Sequence, residues 1–346
     1  MIDYLIVGQG LAGSILSYRL LKQGKKVKVI DPHLEKTSSK VAAGIYNPIT
    51  GKRIVKSWMV DQLYPELKKL YKELELVLNT SFDHKTEIVR FFTTQDQQTD
   101  LLAKADDERY ASYVKVNLDE EKYQKTIAFE YSGFNIEGGG VMDTALFVSK
   151  YRDYLKKEKL LIEGYFNYDS IEEYGAKKII FCEGYKSIEN PFFNWLPFSP
   201  TKGEMLIIKS DLNIDHIINK QLFIVPKGDN HYLVGATFEL KFNEDVTAKG
   251  KNQLTEKLDK IIKTPYTIVK HIAGVRPTVR DRRPFLGVHP DRENMFIFNG
   301  FGTKGVSLIP YWSSEMVDFL ENGRELDREV NIERFYSLYS NLSKKN

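Results

Sequence analysis

Cysteine is nearly absent. The chain of 346 residues has one, Cys182, which excludes an internal disulfide and any Cys-rich zinc or iron–sulfur site. The six histidines are scattered and form no His-Glu-x-x-His pattern, so no metal is expected. No apolar run approaches the ~20 residues that cross a bilayer, which argues against an integral membrane protein. Neither sign of charge dominates: 50 Lys and Arg face 47 Asp and Glu, a net charge of +3. Charge alone therefore does not indicate a nucleic-acid partner. The N-terminus lacks a basic n-region, an apolar h-region and a twin-arginine signal, and the expectation is a cytoplasmic protein. Hydrophobic residues at 42% and charged residues at 28% fit an ordinary folded chain. At roughly 100–200 residues per domain the length suggests two domains.

The pattern that is present begins at once. Ile2–Val7 is a short apolar run, as in a buried parallel strand. Gly8-Gln9-Gly10-Leu11-Ala12-Gly13 follows, and then a helical stretch with Ile15, Leu16 and Leu20 apolar and Gly24 as its stop. A second strand over 27–31 completes a βαβ unit, so the fold class is α/β with a parallel, Rossmann-type sheet. Residues 37–58 read as a loop and 59–78 as an amphipathic helix through Leu63, Leu67, Leu70 and Leu74. Strands are expected at 88–93, 160–166 and 178–182, with a helix at 142–157. Alternating patterns at 204–208, 222–225 and 232–237 predict a second, antiparallel sheet. Helices are expected over 247–263, 306–321 and 331–342, and a strand over 295–298 leads into the Gly-rich turn 299–305.

The glycine cluster carries specific physics. Gly8 permits a tight turn, Gly10 lets a pyrophosphate approach the backbone, and Gly13 allows close helix–strand packing. The helix N-terminus, with Leu11 and Ala12 in its first turn, faces the phosphates. Asp31 ends the second strand and can accept hydrogen bonds from ribose hydroxyls. These features define a dinucleotide site without separating FAD from NAD.

Three later segments bear on that choice. The first is Thr37-Ser38-Ser39-Lys40-Val41-Ala42-Ala43-Gly44. The second is Ile272-Ala273-Gly274-Val275-Arg276-Pro277-Thr278 with Asp281 and Pro284-Phe285-Leu286-Gly287. The third is Phe298-Asn299-Gly300-Phe301-Gly302-Thr303-Lys304-Gly305. In this order they resemble the FAD-dependent D-amino-acid oxidase superfamily, and within it the glycine oxidase and sarcosine oxidase branch. Lys202-Gly203-Glu204, Ile224-Val225-Pro226, Val234-Gly235-Ala236-Thr237 and Gly140-Val141-Met142-Asp143 echo the same family more weakly. The likeness reaches from residue 4 to about 320.

The resemblance implies an FAD-dependent oxidoreductase that transfers hydride from the α-carbon of a small amine or amino acid to flavin N5, giving an imine. Oxygen or another acceptor would reoxidise the flavin. Ser38, Ser39, Ala42, Ala43 and Gly44 would form the loop passing the flavin. Gly300, Gly302, Thr303 and Gly305 would bring backbone close to its ring, where a helix N-terminus stabilises negative charge. Lys304 would add a positive charge there. Arg276 would anchor the substrate carboxylate, for which its planar fork is suited; the alternative is an ion pair with Asp281 or another acid. Cys182 and Gly184 would lie near the cofactor. Cys182 does not match the covalent-flavin cysteines of sarcosine-oxidase-like proteins, so the FAD is expected to be noncovalent.

The chain departs from the family in places. Phe223 stands where a polar or tyrosine side chain is usual, and Phe238 can wall the pocket, both favouring a larger, less polar substrate than glycine. The segment 169–177 is short. In the loop 44–53, Tyr46, Asn47 or Arg53 can lie over the isoalloxazine, or the loop is a plain turn leading to Trp58. A similar stretch in the FAD oxidase domain of a tRNA wobble-modifying enzyme supplies an alternative, oxidation of an aminomethyl group of tRNA. A nicotinamide dehydrogenase and a non-catalytic FAD protein are further readings. The expected division is a discontinuous FAD-binding domain of residues 1–80, 136–205 and 266–346, with 81–135 and 206–265 as a substrate domain. Oligomeric state is not legible.

Overall fold

A computed structural model describes residues 1–51, 53–104 and 107–343. Two large sheets organise the chain. The first has six strands in the order Leu161–Glu163, Val27–Asp31, Ile2–Val7, Ala176–Phe181, Arg292–Asn299 and Phe285–His289. All neighbours are parallel except the last pair. Successive side chains point to opposite faces, and both faces are covered. Tyr4, Ile6, Val29, Ile180 and Phe298 pack under the helices Leu11–Lys22, Thr144–Lys157 and Gly305–Asn322. Leu5, Val7, Ile179, Phe181 and Ile297 meet an aromatic layer of Phe166, Phe193 and Trp195 on the other side. Burial on both faces is why these strands read as continuous apolar runs.

The second sheet has eight strands in the order Tyr266–Arg276, Thr201–Ser210, His231–Gly235, Leu222–Gly228, Ile217–Lys220, Ile88–Phe91, Gly133–Ile136 and Val114–Lys115. It is antiparallel apart from the pairing of Ile217–Lys220 with Ile88–Phe91. One face packs Leu206, Ile208, Ile224 and Val234 against the helix Ala248–Leu258. The other packs Met205, Ile88, Ile217 and Phe223 with Ile49, Ile54 and Leu101.

Several expected elements differ. The stretch 37–58 is not a plain loop: it holds the helix Ser38–Val41 and the strands Ile45–Tyr46, Ile49–Thr50 and Val55–Lys56. Ile45–Tyr46 pairs with Gly140–Met142, a partner too distant in sequence for local patterning to reveal. The helix expected to reach 263 stops at Leu258. The division drawn at 205/206 falls inside the strand Thr201–Ser210, and Tyr266–Arg276 hydrogen-bonds along that whole strand. Both strands therefore lie in the eight-stranded sheet, although 201–205 and 266–276 were expected with the cofactor-binding part. Lys52 and residues 344–346, which entered the expected loop and the expected C-terminal stretch, lie outside the described residues.

Candidate active site

A cavity of about 1010 Å³ runs between the two sheets, at the upper end of the size of small-molecule sites. Its first end is built by the opening glycines. Gly8 has φ +101°, and a Cβ there would stand 2.7 Å from the carbonyl oxygen of Cys182. A Cβ on Gly13 would fall 1.9 Å from the Gly8 oxygen, so Gly13 lets the helix seat on the strand. Gly10 differs from both. Its added Cβ would meet only Ser39 Oγ, at 3.2 Å, so the space it leaves belongs to the cavity. Leu11 N–H donates to Ser39 Oγ at 3.0 Å, which ties the helix start to the helix Ser38–Val41. Leu11, Ala12, Ser38, Ser39, Ala42, Ala43 and Gly44 all line the cavity. Gly44, at φ +72°, would otherwise drive a Cβ to 1.8 Å from the Met142 oxygen.

Asp31 lines the same end, and its carboxylate is already held. Gln9 N–H donates to Oδ2 at 2.9 Å, His33 N–H to Oδ1 at 2.8 Å, and Arg152 Nη1 to Oδ1 at 2.9 Å. Arg152 is buried. Sequence reasoning missed Gln9 and Arg152, because the arginine lies 121 residues from its partner in a helix that otherwise looks ordinary. Cys182 lines the cavity and is buried; burial pushes its thiol well above the usual range. Gly184 also lines it, and its carbonyl accepts from Asn299 Nδ2 at 2.8 Å. The adjacent Glu183 carboxyl is raised by burial against the hydrogen bonds of Tyr168 and Asn190.

In the turn before the last long helix, Gly302, Thr303, Lys304 and Gly305 line the cavity. Gly302 N–H donates to the Pro277 oxygen at 3.1 Å, joining the turn to the Arg276 strand. Gly300 is a correction. It does not line the cavity; at φ +79° it makes room instead for Val279 and for the Phe285 backbone, 2.9 and 3.2 Å from an added Cβ.

The far end is lined by Tyr46, Asn47, Thr50, Met205, Asn219 and Phe223, with Arg276 and Lys304. Arg276 is half-buried, and burial lowers its pKa. Its guanidinium lies over Gly203, where a Cβ would stand 1.9 Å from Nη2. Its protein partner is the Thr237 carbonyl, 3.4 Å from both Nη atoms. The expected alternative, an ion pair with Asp281, does not form, because Asp281 Oδ2 accepts from Arg334 Nε at 2.9 Å. Lys304 Nζ stands 3.5 Å from Thr50 Oγ1 and 3.4 Å from Ser57 Oγ. Burial, then the charges of Arg283 and Arg282, lower its pKa.

Two expected residues, Phe238 and Arg53, do not reach the cavity. Phe238 is 65% exposed and does not wall the cavity, because its strand ends at Gly235. Arg53 is exposed and lies outside the lining. Tyr46 lines the cavity, but its hydroxyl is directed to Asp83 Oδ1 at 2.9 Å. Arg283 is drawn away by Glu329 at 3.2 Å and by the Trp58 ring at 4.1 Å.

A glycine cradle opening onto a helix start, joined to a second sheet through a shared cavity, defines a dinucleotide-dependent enzyme of two-sheet architecture. The comparisons make it specific. The FAD dependent oxidoreductase family matches residues 3–318, and the chain belongs to that family. Glycine oxidase of Pseudomonas putida is 28% identical over 130 residues, which cover 36% of each chain; that alignment spans about a third of the relative's length. Glycine oxidase of Bacillus licheniformis is 23% identical, with 92% of each chain covered. The solved iminodiacetate oxidase of Chelativorans sp. BNC1 shares the fold at a TM-score of 0.77 and 18% identity, covering 96% of this chain and 98% of that one. The cofactor is therefore FAD, and the cradle at Gly10, which any side chain would fill, fits its pyrophosphate. Among the described residues no helix is long and apolar enough to cross a membrane.

Proposed function

We propose that this chain oxidises the carbon–nitrogen bond of a carboxylate-bearing amine or amino acid. The observation that carries the reading is Arg276: a half-buried guanidinium that lines the cavity and, among the described residues, meets one carbonyl, at 3.4 Å. Such a group is costly to desolvate unless an anion completes it, and its fork matches a carboxylate bidentately. The relatives named glycine oxidase are consistent with that ligand.

Gly8, Gly10, Leu11 and Ala12 would hold the pyrophosphate, with Gly13 seating the helix on the strand behind them, and Asp31, fixed by Arg152, would take the ribose. Ser38, Ser39, Ala42, Ala43, Gly44, Cys182 and Gly184 wall the middle of the dinucleotide without a covalent bond. Gly302, Thr303 and Gly305 would meet the ring end, where the helix start favours negative charge. Bound FAD would supply the two-electron acceptor for a hydride lost from the substrate α-carbon. The amine lone pair then closes a C=N bond, and water hydrolyses the imine. Arg276 fixes the α-carbon by its carboxylate, and Met205, Phe223 and Ile217 keep water from the reacting face. An amine that arrives neutral needs no dedicated base.

Anaerobic bleaching of the visible flavin band by glycine, sarcosine, proline, iminodiacetate and D- and L-amino acids tests this. One class should bleach it, and admitted air then shows whether oxygen is the acceptor. Bleaching by none, with intact FAD bound, rejects the reading.

A further inference from the structure

Charge is distributed unevenly along the cavity. Its acidic lining residues are Asp31, Glu35, Glu183, Glu189 and Glu244. Two of them are paired: Asp31 holds Arg152 at 2.9 Å and Glu244 holds Lys186 at 3.0 Å. The same cavity is lined by Arg276 and Lys304 and by the neutral residues Tyr46, Asn47, Thr50, Asn219, Met205 and Phe223. Neither cation meets a carboxylate among the described residues. Arg276 has one carbonyl, and Lys304 has two hydroxyls at 3.4–3.5 Å, longer than an ordinary N–H···O bond. The two come from different elements, one ending the strand Tyr266–Arg276 and one preceding the helix Gly305–Asn322.

We propose that the substrate is an amine bearing two carboxylates, one held by Arg276 and the other by Lys304; this rests on the amine-oxidation reading above. A substrate with one carboxylate leaves one partly buried cation without a counter-charge, which is costly. Two carboxylates on a neutral amine offset both cations. The cations are also not equivalent. The arginine fork fixes the plane of one carboxylate beside the reacting carbon, whereas the lysine is a point charge that tolerates rotation of the distal one. Met205 and Phe223 suit the methylenes between. Holding both ends restricts the α-carbon more than a single contact does.

The test uses the holoenzyme and matched pairs: iminodiacetate against sarcosine, and aspartate and glutamate of both hands against alanine. The expected result is a kcat/KM for one diacid at least about tenfold above its monoacid partner, the scale of one charge-assisted contact. In Lys304→Met that ratio should fall toward one. Equal rates for diacid and monoacid in the wild type overturn the proposal. So does a Lys304→Met change that lowers both in the same proportion, because Lys304 would then serve the ring rather than the substrate. A second readout separates this from failure of amine oxidation. Thiodiacetate should perturb the flavin spectrum at least about tenfold more tightly than (methylthio)acetate. If no amine bleaches the flavin but this difference holds, the diacid site stands and the reaction assignment falls. If the two thioethers bind alike, the diacid site falls whatever the reaction.

Discussion

Replacing Gly203 with alanine isolates the role of Arg276 without touching Arg276. An added Cβ would lie 1.9 Å from Nη2, 2.3 Å from Cζ and 2.6 Å from Nη1. Ordinary contact needs about 3.4 Å, so the guanidinium must retreat by roughly 1.5 Å. The backbone need not follow, because the obstructed atoms are the end of a flexible side chain and Gly203 still pairs with Gly274. A displaced fork loses its bidentate carboxylate bonds, worth about 1.5–3 kcal/mol for a charged partner, or roughly 10- to 150-fold in kcat/KM. The assay is steady-state oxidation of whichever carboxylate amine bleaches the flavin, with FAD content and thermal midpoint as controls. Gly203→Ala combined with Arg276→Leu should be little worse than Arg276→Leu alone, since both remove one interaction. A Gly203→Ala enzyme within twofold of wild type, or full additivity of the two changes, would refute the anchor.

Other outcomes follow from the same geometry. Gly10→Ala should weaken FAD binding, read by titrating the apoprotein, while the apo thermal midpoint holds, because the new Cβ enters cavity rather than packed protein. Gly44→Ala should instead destabilise the apoprotein, since its Cβ collides with the Met142 backbone at a positive φ. Cys182, raised by burial, should resist a thiol reagent at pH 8 until the protein is denatured. Acid precipitation should release all the flavin. Lys304 has a lowered pKa and is cationic below it, so thiodiacetate affinity should fall as pH rises through that depressed value. Lys304→Arg should move the fall to higher pH.

Parts of this organisation are local in sequence and others are not. The opening βαβ unit was legible because one strand, three glycines and one helix period occupy a continuous stretch. The turn ending at Gly305 and the Arg276 strand were legible from their residue types. Gly300 was misplaced because glycine spacing does not say which side of a turn faces the ligand; only the Phe285 backbone, brought in by the neighbouring strand, decides that. Asp31 was legible as the acid ending the second strand, but not its tie to Arg152 of a distant helix. The boundary drawn at 205/206 cut the strand Thr201–Ser210, because its pairing with Tyr266–Arg276, more than fifty residues away, is not visible in either segment alone. Gly203 drew notice only as part of a weak motif; its place under the arginine depends on register across that pair.

The strand order of the six-stranded sheet also sets a timetable for synthesis. Ile2–Val7 finds one neighbour almost at once, in Val27–Asp31, but its other neighbour is Ala176–Phe181, whose own far edge waits for Arg292–Asn299. At ribosomal rates of 5–20 residues per second, the last of these emerges roughly 15–60 s after the first. Throughout that interval an apolar strand edge has no partner, the condition under which nascent chains pair with one another. Soluble yield should therefore depend on holdase chaperones and on growth temperature, and a chain truncated before residue 292 should aggregate even though its dinucleotide motif is complete.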